Sequence, residues 1–366
     1  MVDYNKDIKE LEDEIKKTKY NKATQGHIGK IKAKIAMLKE KQDQRVGKKT
    51  GSSSYGFTVR KSGDGTVLLL GFPSAGKSTL LNVITGADSQ VAAYAFTTLT
   101  VVPGMLNYKQ AKIQILDVPG IVSGAASGRG RGREVLTVIQ NADLVLIVVD
   151  VTTPDHYPAI LREVKEANIR LNQRKPEVYI KKKGIGGINI GRTVPTEIDD
   201  DTIKEIMREF KFVNADILIR SSLNVDQFID CIENNKKYVP AIICLTKADM
   251  VSATEIKKVK KQIGADLVLS AHENIGIDEL KEMIFEKLDF MRIYMKEPRK
   301  EADLNEPMII PHGSTLQNVC NKTHKDFIKK FRFARIWGKS VKFPGQQFQR
   351  LNHVLQDGDI VEIHIR

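Results

Sequence analysis

TVLLLGFPSAGKSTLLNVITG, residues 66–86, decides the fold. A short apolar run is followed by a loop matching G-x-x-x-x-G-K-[ST] and then by a Leu- and Ile-rich helical stretch, which is the strand–loop–helix order a phosphate cradle needs. Gly71, Phe72, Pro73, Ser74, Ala75, Gly76, Lys77, Ser78 and Thr79 are the predicted phosphate-loop residues. Their backbone N–H groups would face the phosphates at a helix N-terminus, Lys77 would reach the β and γ oxygens, and the Ser78 hydroxyl would ligate Mg²⁺.

Working outward, KIQIL at 112–116, DLVLIVV at 143–149, AIICL at 241–245 and DLVLS at 266–270 are further short apolar runs separated by helical stretches. Near-continuous apolar strands alternating with helices predict an α/β fold with a mostly parallel sheet covered on both faces. The chemistry-bearing motifs sit at the ends of these strands. DVPG supplies Asp117, Val118, Pro119 and Gly120: the carboxylate can hold Mg²⁺ and the Gly120 N–H can meet a γ-phosphate, as a hydrolysis sensor requires. FTTLT, with Phe96, Thr97 and Thr98, offers a hydroxyl to complete the metal shell. TKAD supplies Thr246, Lys247, Ala248 and Asp249, and the Asp249 carboxylate can accept from guanine N1–H and its amino group, which adenine cannot provide. Ser270, Ala271 and His272 follow the next strand and can present a backbone N–H to guanine O6. The predicted nucleotide is therefore GTP, with Ser78, Thr98 and Asp117 as metal ligands and Lys77, Thr98 and Gly120 nearest the chemistry.

The chain's 366 residues are too many for one ordinary core and predict two or three domains. Hydrophobic residues make up 41% and charged residues 28%, a globular composition. No apolar run approaches the ~18 residues of a membrane span, and MVDYNKDIKELEDE lacks an apolar signal core, so a membrane or conventionally secreted protein is not expected. Cys231, Cys244 and Cys320 are too scattered for a disulfide framework or metal knuckle, and a reducing cytoplasm is the expected location. The net charge of +13 favours a polyanionic partner. Residues 1–50 carry 14 basic against 8 acidic residues, on amphipathic stripes made by Ile8, Leu11, Ile15 and by Ile28, Ile31, Ile35, Leu38. The two glycines of NKATQGHIGK predict a turn between two helices, and GKKTGSSSYG reads as a linker.

Taken together, FTTLT, DVPGI and SGRGRGRE at 127–134 resemble the Obg-type GTPases. The Lys-rich helical N-terminus, YAFTTLTVVPG, an insertion after Asp150 and the C-terminal DGDIVEIHI extend that resemblance over the whole chain to the developmentally regulated GTP-binding proteins. The chain then divides into a basic helical region at 1–46, a linker at 47–62, a GTPase domain at 63–291 with an α+β insertion at about 170–238, and a C-terminal domain at 292–366; the resemblance implies that the GTPase domain is of Obg type and the last a TGS domain of β-grasp type. It implies GTP hydrolysis as a conformational switch, Mg²⁺, a cytoplasmic role on ribosomes or RNA in translation, and a dedicated regulatory protein partner, with no membrane or DNA partner. Ser74 stands where Obg-type loops often carry an asparagine that supports potassium, and Thr246 where the guanine motif commonly has asparagine, which would weaken that motif's link to the phosphate loop.

Ile121 occupies the place of a water-orienting glutamine and can neither donate nor accept, so slow intrinsic hydrolysis is expected. Arg129, Arg131 and Arg133 follow in the second of two switch loops, about 90–104 and 118–134, and could meet either transition-state charge or RNA phosphate. The rival reading is an RNA-binding or ribosome-tethering module in which bound nucleotide is structural. A metabolic kinase is a weaker rival, because TKAD specifies guanine.

Overall fold

Ile8, Leu11 and Ile15 lie on one helix, α1 (Tyr4–Lys17), and pack against Ile31, Ile35 and Leu38 of a second, α2 (Gln25–Lys49). The structure, a computed structural model, describes residues 4–49, 63–86, 102–117 and 142–365. The sequence places the turn at the two glycines, whereas Gly26 and Gly29 lie inside α2 and the turn falls before Gln25. Their purpose is close packing. With Ala33 they form a row of small residues along α2, and a Cβ on Gly29 would come within 3.1 Å of Thr202 Cγ2.

The central sheet is built from β1 (Gly65–Leu70), β2 (Val102–Tyr108), β3 (Ala111–Asp117), β4 (Leu144–Asp150), and, beyond β5 (Ile169–Leu171) and the insertion, β10 (Ala241–Thr246) and β11 (Leu267–Val268). The order is β11-β10-β4-β1-β3-β2, with every pairing parallel except that of edge strand β2 with β3. All residues of β1 are buried, as expected for a strand covered on both faces. One face is covered by α3 (Lys77–Thr85) and α8 (Ile277–Lys287), through Leu80, Leu81, Ile84, Leu280 and Ile284. The other carries α4 (His156–Glu166) and α7 (Ala253–Ile263), through Ile160, Val164 and Ile263. β2 was not expected as a strand, since VVPG reads as loop. Pro103 is tolerated because β2 is an edge, and Gly104 leaves room for Thr85, whose Cγ2 lies 2.5 Å from where a Cβ would stand.

The inserted segment contains β6 (Val178–Lys182), β7 (Ile188–Arg192), α5 (Asp200–Glu209), β8 (Ala215–Ile219) and α6 (Val225–Glu233), with β9 (Lys237–Val239) after it. β6 and β7 do not pair with each other. β8 lies between them, antiparallel to β6 and parallel to β7. Ala33 of α2 joins Ile203, Ile206 and Met207 of α5 and Phe228 of α6 in one apolar core. The described residues of 1–56 and 173–238 accordingly form one compact unit, and those of 57–172 and 239–366 form the other.

Within the second unit, β12 (Phe290–Met295), β13 (Met308–Pro311), α9 (Leu316–Thr323), α10 (Lys325–Lys330), β14 (Phe331–Trp337), β15 (Gln346–Phe348) and β16 (Ile360–Ile365) make a five-stranded sheet of order β13-β12-β16-β14-β15. The parallel β12–β16 pair at its centre and Leu316, Val319 and Cys320 of α9 packed on one face give a β-grasp. Ile309 of β13 also joins the apolar layer beneath the central sheet, and Lys322 Nζ donates to Asp64 Oδ1 at 2.6 Å.

Candidate guanine nucleotide site

Parallel strands bring their C-terminal ends to one edge of a sheet, and the predicted motifs collect there: β1 runs into Gly71, β3 ends on Asp117, β10 ends on Thr246 and β11 leads to Ser270. The loop after β1 needs unusual backbone. Gly76 has φ 84° and caps α3, and Ser74 has φ 65°. At Gly71 a Cβ would stand 2.4 Å from the Val148 carbonyl oxygen, so the strand-to-loop corner requires glycine.

Lys77 is buried at 7% exposure, and its ammonium donates to the Gly71 carbonyl at 3.0 Å and the Phe72 carbonyl at 2.9 Å. A lysine has three N–H donors, so this geometry aims the chain along the loop and leaves one for a ligand oxygen. Burial pushes the Lys77 pKa down from its ordinary value, and the Asp117 carboxylate opposes that shift. The Phe72 ring stacks on His156, centroids 3.9 Å apart. Pro73, Ala75 and Thr79 complete the loop and the first turn of α3.

The Ser78 hydroxyl donates to Asp117 Oδ2 at 2.7 Å, joining the start of α3 to the end of β3. Asp117 is 3% exposed and, among the described residues, its buried Oδ1 has no hydrogen-bond partner. An unpartnered buried carboxylate oxygen is costly unless a cation or water meets it. Ser78 Oγ and the Asp117 carboxylate are hard oxygen donors of the kind Mg²⁺ takes together with substrate phosphates. The chain therefore fits that ion at this position. Phe96, Thr97, Thr98, Val118, Pro119 and Gly120 lie outside the described residues, as do Ile121, Arg129, Arg131 and Arg133.

At the other end of the edge, Thr246 is 3% exposed and its hydroxyl lies 2.8 Å from the Ala75 carbonyl and 3.2 Å from that of Val149. With threonine here the tie to the phosphate loop is still made: the hydroxyl reaches the loop carbonyl directly. Lys247 adopts a left-handed backbone, φ 59°, and its ammonium pairs with Asp150 Oδ2 at 2.7 Å. Burial alone would raise the Asp150 pKa. Hydrogen bonds from Lys247 and from the Thr152 hydroxyl and amide outweigh it and hold the carboxyl below its usual range. Asp150 escaped the sequence reading, although an acid closing the strand LVLIVVD was a visible signal.

Asp249 is exposed, and its Oδ1 accepts from the Ser270 hydroxyl at 2.7 Å, which holds its carboxyl below the usual range. Ser270 is fully buried, its Oγ accepts from the Glu273 amide at 3.2 Å, and its backbone pairs reciprocally with Ile275. This closes the turn that carries Ala271 and His272. Ala248 N–H donates to the Leu269 carbonyl at 3.2 Å, so the two base-facing segments are bonded to each other. A fixed carboxylate at one end and a metal-competent hydroxyl–carboxylate pair with a buried lysine at the other suit a guanine nucleotide.

Known proteins carry the same sequence features. Residues 66–183 match the family described as 50S ribosome-binding GTPase, 185–290 the C-terminal region of that domain, and 291–365 the TGS domain. The Developmentally-regulated GTP-binding protein 1 of Xenopus laevis is 43% identical over 97% of this chain and 97% of its own length. The Dictyostelium discoideum homologue of that protein is 45% identical, covering 97% of this chain and 98% of its own. The chain belongs to the developmentally regulated GTP-binding protein family. An uncharacterized GTP-binding protein of Methanocaldococcus jannaschii is 50% identical over 98% of this chain and 92% of its own. Among solved structures, Aquifex aeolicus Era bound to GDP and AlF₄⁻ aligns with a TM-score of 0.35 and 21% identity, over 68% of this chain and 62% of Era. As a member of this family the chain is a GTP-binding protein with a P-loop GTPase fold, a mostly parallel sheet and a C-terminal TGS domain.

Proposed function

We propose that this family member hydrolyses GTP as a Mg²⁺-dependent conformational switch and acts on ribosomes or RNA in translation, in the cytoplasm. The observation that carries the reading is the buried Ser78–Asp117 pair, with its unpartnered carboxylate oxygen, on the same sheet edge as Lys77 and the Ser270–Asp249 pair. Bound Mg²⁺ would supply charge neutralisation at the β and γ oxygens. Ser78 and Asp117, with Thr98, would hold it. Lys77 would stabilise the negative charge of the transferring phosphoryl group through its remaining N–H, and the Gly120 N–H would sense the γ-phosphate. Asp249, Lys247 and Thr246 would select and seat the base, with Ser270, Ala271 and His272 closing over it. Potassium binding at the loop of Ser74 and a dedicated regulatory protein partner belong to the same proposal.

With Ile121 unable to orient water, turnover by the isolated protein should be slow and a ribosomal or RNA partner should raise it. The positive charge of +13 and the description of the matched family as ribosome-binding support that partner class. Phosphate release by the full chain, measured with GTP and Mg²⁺ with and without purified ribosomes, tests the proposal. Stimulation by ribosomes supports it. Tight GTP binding with no turnover under either condition would leave the tethering-module reading in its place.

A further inference from the structure

The solvent face of α7 is made of lysine. Lys257, Lys258, Lys260 and Lys261 are all exposed, while Ile256, Val259 and Ile263 point into the apolar layer under the sheet. At about 100° per residue the four lysines share one arc of the helix. Several helix-surface lysines elsewhere are set beside acids three or four residues away: Lys6 with Glu10, Lys16 with Asp13, Lys204 with Asp201, and Lys281 with Asp278. In α7 the neighbours at those spacings include other lysines, in the pairs 257/260, 258/261 and 257/261, and a single acid, Glu255, three residues before Lys258. Like charges so placed oppose helix formation. The helix's one acid, Glu255, is used in a capping box with Ser252. Among the described residues none of the four lysines has a carboxylate partner. Attraction to the C-terminal end of the helix accounts for Lys260 and Lys261, but not for Lys257 and Lys258.

We propose that this face of the GTPase domain is a docking surface for RNA backbone, with the four ammonium groups set against phosphates. The inference rests on the ribosome or RNA reading above and names a surface for it. Two features select RNA over protein. The face carries no aromatic or apolar anchor of the kind that fills the centre of a protein interface, and no acid to pair with a basic partner. Four compact point charges supply affinity without base readout, which is what contact with a phosphate backbone requires.

The test uses the full chain with GDP and a fluorescein-labelled RNA hairpin of roughly 20 base pairs, with anisotropy followed over a range of KCl concentrations. Each lost phosphate contact should flatten the slope of log K against log salt by about 0.7–0.9. K257Q/K258Q/K260Q/K261Q should therefore flatten it by about 3 and weaken binding at least tenfold at 100 mM KCl, with GTP affinity and thermal transition unchanged. The charge-matched control replaces Lys109, Lys183, Lys204 and Lys281, each paired with a carboxylate, by Gln and should change the slope far less. Should the quadruple variant lose its thermal transition, K257Q/K258Q is read the same way, with half the slope change. An α7 variant that matches wild type or the control overturns the surface while leaving the RNA reading intact. Wild type with no affinity for the hairpin overturns the surface, and phosphate release with and without ribosomes then decides the wider reading separately. Equal affinity for polyglutamate assigns the face to acidic protein and overturns the choice of RNA.

Discussion

Thr246 places one hydroxyl between two carbonyls, those of Ala75 and Val149, and so joins the guanine segment, the phosphate loop and the end of β4. Thr246→Val keeps the shape and removes the donor. Leaving a buried carbonyl unsatisfied costs about 1–3 kcal/mol, so GTP affinity or thermal stability should fall by that order, whereas Thr246→Asn retains an N–H donor and should stay near wild type. Titration with a fluorescent GTP analogue and a melting curve check both, and unchanged values for Thr246→Val would remove the tether from the account. At Asp249 the acceptor is a carboxylate, so Asp249→Asn should lose GTP affinity and gain affinity for XTP, whose 2-oxo group can take the new amide N–H. The Ser270 hydroxyl holds the Asp249 carboxyl below its usual range. The ionised form that accepts from guanine therefore persists as pH falls and is lost only below the depressed value. Ser270→Ala should let that value rise, so guanine affinity should fail at a higher pH than in wild type. Acid titrations of GDP affinity in which the two curves coincide would contradict this role of Ser270. Asp249 was legible from its spacing after AIICL, but its dependence on Ser270 was not, because that bond spans two loops and is set by the β10–β11 register.

At the scale of elements, α2 has two working faces. Ile31, Ile35 and Leu38 meet α1, and Gly26, Gly29 and Ala33 let α2 approach α5 closely. Ala33 is fully buried among Ile203, Ile206 and Met207. Ala33→Leu should overpack this contact at a cost of about 1–3 kcal/mol. The expected result is a lower melting temperature for this unit with GTP affinity unchanged; a loss of GTP affinity of the same size would show that the effect is not confined to it. The sequence made the first face plain, since large apolar residues at helical spacing announce themselves. The second face was misread because glycine's usual message is a turn. Only the partner surface, Thr202 and Ile206 some 170 residues away in the chain, reveals these glycines as packing residues. The parallel strands were legible for the opposite reason: burial on both faces writes itself as an unbroken apolar run, whereas the edge strand β2, with Pro103 and Gly104, carries no such mark.

At the scale of the whole molecule, the basic N-terminal helices are no free arm. Their lysines are partly committed, Lys30 to Glu209 and Lys32 to Asp226, and their apolar and small-residue faces belong to the core of the unit formed with 173–238. Removing residues 1–46 alone would strip α2 from α5 and expose Ile203, Ile206 and Met207, each worth about 1.5–3 kcal/mol when buried. The described nucleotide residues lie in the other unit, where the ends of the insertion are already bonded: the Ala241 amide donates to Asn172 Oδ1 at 2.7 Å. Deleting 1–46 and also replacing 173–238 by a short Gly/Ser linker should therefore leave a folded protein with near-wild-type GTP affinity. The single deletion should abolish one thermal transition and promote aggregation. Calorimetry with and without GTP separates the outcomes, because the nucleotide should raise only the transition of the unit that binds it. The doubly deleted chain keeps α7 and the β-grasp, so it should retain part of the full chain's RNA affinity with a shallower salt dependence. Two unaltered transitions after removal of 1–46 would show that the helical hairpin contributes nothing to the inserted unit.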